Sequence, residues 1–273
     1  MIPIELLTIS LLSATTTTAT KSSNQDDKSR ASVIHCAECP PMVPVTVTVE
    51  GVPRRYMVGK FEVTWKEYML AFDDKACPAP VNLDGKLVEL NVKDVRDNFP
   101  MTSIRPVEIG CYLTWLRKKT TKPYRLSSEV EWAAIARKAS GREKLLISDI
   151  GPTKAYVGGV SHNDWSYTRD DPRYSVEWRV VNRVGSYGPD RLGLYDLFGN
   201  ASEVMSDPMI YSSLSKTASD GTDLAQVLVK GGSLGSNVNF DVILGRERYV
   251  GAGHSARVGF RVMHDDIGPD QAK

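Results

Sequence analysis

A chain of 273 residues with 34 basic and 33 acidic side chains has ample interior for a core and no charge excess with which to clamp a nucleic-acid backbone. Its 41% hydrophobic and 25% charged residues are ordinary for a globular protein, and no apolar run reaches the length of a membrane span. Neither nucleic acid as a partner nor a helical membrane span is expected.

The opening segment, MIPIELLTISLLSATTTTA, holds an apolar stretch from Leu6 to Ala14 of signal-peptide length, followed by small residues. No positive charge precedes it and Glu5 stands where a charge is unwelcome, so a disordered start is the competing reading. The pattern favours export to a periplasmic or secreted location, with a cytoplasmic one left open. Residues 15–32 are small, polar and aperiodic, which marks a flexible leader. A signal-like or disordered leader is expected over 1–31 and a single folded domain over 32–273.

The four cysteines are Cys36, Cys39, Cys77 and Cys111, an even count that suits an oxidising compartment. Cys36 and Cys39 have redox or zinc-knuckle spacing, but no second such pair exists to complete a four-thiolate zinc site. A local disulfide or two inert thiols is expected there.

Val43 to Val49 alternates as a strand does, with Pro44 confined to a strand start or a sheet edge because it cannot donate to a ladder. Three helices follow. Thr64 is an N-cap ahead of Trp65, Tyr68, Met69 and Phe72 at helical spacing. Pro106 suits a first helical position before the stripe of Ile109, Tyr112, Leu113 and Leu116. Ser128 and Glu131 form a capping box ahead of Trp132, Ile135 and Ala136. Residues 147–193 are rich in Gly, Pro, Asp and Ser with no sustained period, and short apolar runs from Val227 to Met263 read as strands. The order predicts an α+β domain with little regular structure.

Several segments, collinear over residues 61–261, resemble the formylglycine-generating enzyme (sulfatase-modifying factor) family. They are Phe61-Glu62-Val63-Thr64, the run PMTSIRPVEIGCYLTWL from Pro100 to Leu116, and YRLSSEVEWAAIAR from Tyr124 to Arg137. VGSYGPDRLGLYDLFGNASEVMSD from Val184 to Asp207, Lys230-Gly231-Gly232-Ser233 and Gly259-Phe260-Arg261 complete the set. The resemblance implies a variant of the C-type lectin fold with bound calcium. It also implies two copper-holding cysteines after Gly-Gly-Ser, but Ser236 and Asp241 stand in those places and no cysteine follows Cys111. A cuprous ion needs a soft thiolate, which hydroxyl and carboxylate cannot replace. No copper and no formylglycine formation are therefore expected.

Other family features differ too. A tryptophan-rich stretch of the substrate groove has become Ser202-Glu203-Val204, and a cysteine pair common in the family is replaced by Leu113 and Val262. The four histidines, His35, His162, His254 and His264, are scattered, and none is expected to hold a metal. Asp241, Arg246, Glu247 and Arg248 fall near the family's active site; a solvated turn or a structural ion pair is the plainer reading of them. The expected function is a binding or accessory module that takes a peptide, protein or small-molecule ligand in the family groove. The alternative is an oxidoreductase of another kind using the same groove, for example in maturing a peptide or a siderophore.

One calcium site is implied by the loop Asp196 to Glu203. Asp196 and Glu203 would supply side-chain oxygens and Gly199 and Ala201 backbone carbonyls, a hard-oxygen set of the kind calcium takes. The competing reading is a calcium-free turn with Asp196 as a cap and Glu203 exposed. The family's other calcium site falls on Tyr156-Val157 and is not expected to persist.

Overall fold

The computed structural model describes residues 32–79, 98–150, 181–207, 226–233, 236–237, 239–250 and 255–266. The expected leader, Tyr156-Val157, His162 and His254 lie outside the described residues.

Strands β1 (Met42–Val49) and β2 (Val52–Gly59) form an antiparallel hairpin. Its two-residue turn, Glu50-Gly51, has both φ angles positive (49° and 80°), the condition for a tight turn that matches strand twist. Val43, Val45 and Val47 are buried while Thr46 and Thr48 face solvent, as the alternation predicts. β7 (Met263–Asp265) pairs with the other side of β2, so β1 is a sheet edge and Pro44 sits where a missing N–H is tolerated.

The three helices start where their signals place them. α1 (Trp65–Asp73) is capped by Thr64, whose hydroxyl accepts from the Glu67 amide at 3.3 Å while the Glu67 carboxylate accepts from the Thr64 amide at 2.7 Å. α2 (Pro106–Thr120) begins on its proline, and the buried Glu108 accepts from the Arg105 amide at 2.7 Å. α3 (Glu129–Ser140) carries the expected Ser128–Glu131 box. α4 (Ile147–Ile150) adds a single turn inside the region expected to be irregular, and residues 181–193 have no regular structure.

The second sheet has the order β5 (Glu247–Val250), β4 (Gln226–Lys230), β3 (Ser202–Val204), β6 (Val258–Gly259), with β6 parallel to β3. The α+β architecture and the strands of the tail are as expected. One core lies between α1, α2 and the second sheet, with Tyr68, Tyr112, Trp115, Leu116, Val229 and Phe260 packed together. Leu113 and Val262 belong to it, so two apolar side chains fill the place of the family's cysteine pair. A second core joins Val43, Val45 and Val47 to Trp132, Ile135 and Ala136 of α3.

All four cysteines are bonded. Cys36–Cys39 is the local bridge, and Cys77–Cys111 ties the segment just after α1 to α2 across 34 residues. Spacing alone does not reveal the second pair, because it depends on how α1 and α2 pack. A cross-link stabilises chiefly by shrinking the unfolded ensemble, and more so for a longer loop. The Cys77→Ser/Cys111→Ser double variant is expected to lose about 3–4 kcal/mol in urea unfolding, against about 2 kcal/mol for Cys36→Ser/Cys39→Ser.

Candidate functional site

The loop that begins at Asp196 is made tight by left-handed backbone at Asp196 (φ 54°), Gly199 (φ 92°) and Asn200 (φ 58°). The Gly199 amide donates to the Gly231 carbonyl at 2.9 Å, which holds the loop against the turn after β4. The chain then enters β3 with Glu203 opposite Lys230 on one side and Gly259 on the other.

This places Glu203 in the interior, 1% exposed, against the buried Arg261. Oε1 of Glu203 accepts from Nε of Arg261 at 2.7 Å and lies 2.7 Å from its second guanidinium nitrogen, while Oε2 accepts from the Trp132 indole at 2.8 Å. Arg261 also donates to the carbonyls of Gly59 (2.9 Å) and Tyr195 (2.8 Å). Asp196 accepts from the Gly185 amide at 2.6 Å. Glu62, from the segment ahead of α1, is also buried and accepts from the Ala201 amide at 3.0 Å and the Asn200 side chain at 3.1 Å.

Three acids thus surround one guanidinium. Burial pushes the Glu62 carboxyl well above the usual carboxylate range, the Asp196 charge adds to that, and Arg261 opposes it. Burial likewise raises Glu203 and Asp196, each again opposed in part by Arg261. Glu62 belongs to the Phe61–Thr64 segment quoted for the resemblance, but nothing in the sequence gives it a role, since one acid between apolar neighbours carries no periodic signal.

Of the donors expected for calcium, the carboxylates of Asp196 and Glu203 are close enough to feel each other's charge, and oxygens are the right kind for that ion. In this structure the Glu203 carboxylate is turned to Arg261 and Trp132, and Asp196 to the Gly185 amide. Among the described residues no group of three or more His, Cys, Asp or Glu side chains is arranged to hold a metal. Glu203 is also not the exposed acid of the calcium-free alternative.

Ser236 and Asp241 serve the segment after β4. The buried Ser236 hydroxyl accepts from the Ser233 amide at 2.9 Å. Asp241 accepts from the amides of Ile243 (2.9 Å), Leu244 (3.1 Å) and Leu145 (3.3 Å), closing a turn on itself. Lys230, 1% exposed, donates to the carbonyls of Ile243 (2.7 Å) and Gly245 (2.6 Å). Burial lowers its pKa, with Glu129 at 3.6 Å opposing. Arg246 pairs with the same Glu129 at 2.6 Å, and Glu247 accepts from the Ser202 hydroxyl at 3.4 Å. The ion-pair reading holds for Arg246, and the side chain of Arg248 lies outside the described ones.

Beside this segment opens a cavity of about 280 Å³ between the β1–β2 turn, α3 and residues 243–246. Val49, Val130, Ala134 and Leu244 give it an apolar wall, and Arg137 and Arg246 stand among its charged lining residues.

A family profile described as a sulfatase-modifying factor enzyme 1-like domain matches residues 22–266. Among solved structures, PvdO from Pseudomonas aeruginosa is 20% identical with a TM-score of 0.57, covering 87% of this chain and 99% of its own. Treponema denticola variable protein 1 is 14% identical with a TM-score of 0.58, covering 86% of this chain and 98% of its own. No curated protein matches the sequence. At these identities the structures speak for the fold alone.

The buried acids give a pH test. Glu62 has a folded pKa above its unfolded one, so its contribution to stability is fully present below the ordinary glutamate value and is lost as pH rises through the folded value. Between about pH 5 and about pH 8, wild type should lose melting temperature relative to Glu62→Gln, which cannot titrate. Arg261→Met should cost about 3–5 kcal/mol at neutral pH, because it strands buried carboxylates, and less in acid, where they protonate.

Proposed function

We propose, from the premise that the chain belongs to the sulfatase-modifying factor enzyme 1-like family, that it is a binding or accessory member that makes no formylglycine. The observation that carries this reading is the use of Ser236 and Asp241 as loop-closing acceptors in the places of the copper cysteines. Both bridges support it, since they engage all four cysteines of the chain and leave no thiolate for a cuprous ion. The ligand side of the proposal rests on the cavity beside the same segment, whose apolar wall and charged rim suit a peptide or small molecule with an apolar body and polar ends. An exported location is in keeping with two disulfides. No helix among the described residues is long and apolar enough to cross a membrane.

The test is incubation of the purified protein with a sulfatase-type cysteine peptide, copper and oxygen, read by mass spectrometry. No aldehyde product is expected; copper-dependent conversion well above the buffer control would overturn the proposal. Calcium in the Asp196–Glu203 loop is a separate proposal, supported by the left-handed backbone at Asp196, Gly199 and Asn200 that tightens the loop and opposed by Arg261, which already holds Glu203. An ion that binds only the native state raises the melting temperature. A calcium-dependent rise that Glu203→Gln removes is expected, and coincident wild-type curves with calcium and with chelator would sink it.

A further inference from the structure

The segment ahead of β1 folds back over the end of the first sheet, with Val33 bridging Met42 and the Cys36–Cys39 bond closing its turn. Val33 and Met42 exchange two backbone hydrogen bonds at 2.8 Å, Cys39 packs into the first core, and the Lys60 amide holds the Pro41 carbonyl at 2.7 Å. The Glu38 carboxylate meets Lys119 at 3.0 Å, and Nδ1 of His35 lies 2.7 Å from the Tyr124 hydroxyl. Beneath it His264, in β7, is 3% exposed, and the two imidazole centroids are 5.0 Å apart.

The protonation state of His264 follows from its partners. Its Nδ1 lies 2.8 Å from the Asp265 carbonyl, which can only accept, so the proton sits on Nδ1 and Nε2 is a bare lone pair. Among the described residues that Nε2 is buried with no partner. A second proton there would create a buried cation beside His35 with no acceptor for its new N–H.

The surroundings compensate only in part, since the Asp265 carbonyl and the charges of Asp266 and Asp265 favour the protonated His264 ring and burial outweighs them. Lys122 adds positive charge towards both rings. The two nearby carboxylates are already committed, Asp265 to Arg125 at 2.9 Å and Asp266 to Arg55 at 2.9 Å. Tyr124 stays neutral, its hydroxyl pushed up chiefly by burial. Burial foremost, and for His35 the neighbouring His264 next, hold both imidazoles below the ordinary histidine value.

We propose that residues 33–39 form an acid-released strap, which the facing imidazoles of His35 and His264 keep closed while both are neutral and drive open when they are protonated. The sign follows from linkage. A base whose folded pKa is lowered contributes stability that is present above its unfolded value and is lost as pH falls through the folded one. Release lets the imidazoles reach water, and the Cys36–Cys39 bond keeps the detached segment as one closed loop while it moves.

The test uses the full chain at about pH 7.5 and about pH 5, on either side of the ordinary histidine value. Backbone amide exchange over 33–39, corrected for the intrinsic rate at each pH, should rise severalfold in acid. A phosphine reductant, which needs no thiolate, should open Cys36–Cys39 faster in acid while Cys77–Cys111 is unchanged. His264→Phe, which keeps a ring against Tyr124, should abolish both responses; His35→Gln, which keeps a partner for the Tyr124 hydroxyl, serves if that variant does not fold. Unchanged exchange in wild type, an equal rise in the variants, or a rise shared by the whole domain would each overturn the strap.

Discussion

The guanidinium of Arg261 is the contact on which the interior depends. It sits just before β7, yet it bonds to the end of β2, to the loop before Asp196 and to Glu203 in β3, so it joins the first sheet to the second. A buried charge is costly unless it is paired and its donors are filled. Here Glu203 and two carbonyls fill the donors, and the nearby Glu62 and Asp196 add attraction. Glu62 extends the same centre to the start of α1 through the Ala201 amide. The helices and both sheets are thereby placed relative to one point of charge, with apolar cores on either side of it.

The segment after β4 follows a different logic. Polar side chains that sequence would place at a reactive centre are used up within it. Ser236 and Asp241 accept backbone amides, and Lys230 reaches through the interior to fill two carbonyls of the same turn. Irregular backbone survives burial only when its polar groups find such partners. A loop that keeps its shape in this way has little freedom to offer the same atoms to a metal, while the wall it presents to the neighbouring cavity is apolar.

Local chemistry was legible in the sequence wherever one turn of chain decides the outcome. Thr64, Pro106 and Ser128 start the helices because caps act over three or four residues. The valine alternation of β1 likewise needs no information from elsewhere. Contacts between distant segments were not legible. Glu203 meets Arg261, 58 residues further on, and no spacing rule links them. Cys77 meets Cys111, and His35 meets His264, only because packing brings their elements together.

The order of the disulfides has its own consequence. Four cysteines allow three connectivities, and this chain uses the one in which first joins second and third joins fourth. Neither covalent ring encloses any residue of the other, so the topology is that of two separate loops on one thread. Each ring can close as soon as its own stretch of chain is available, without waiting for the residues that follow. The connectivity allows a chain threaded from its N-terminus to complete both bonds before the last strands exist.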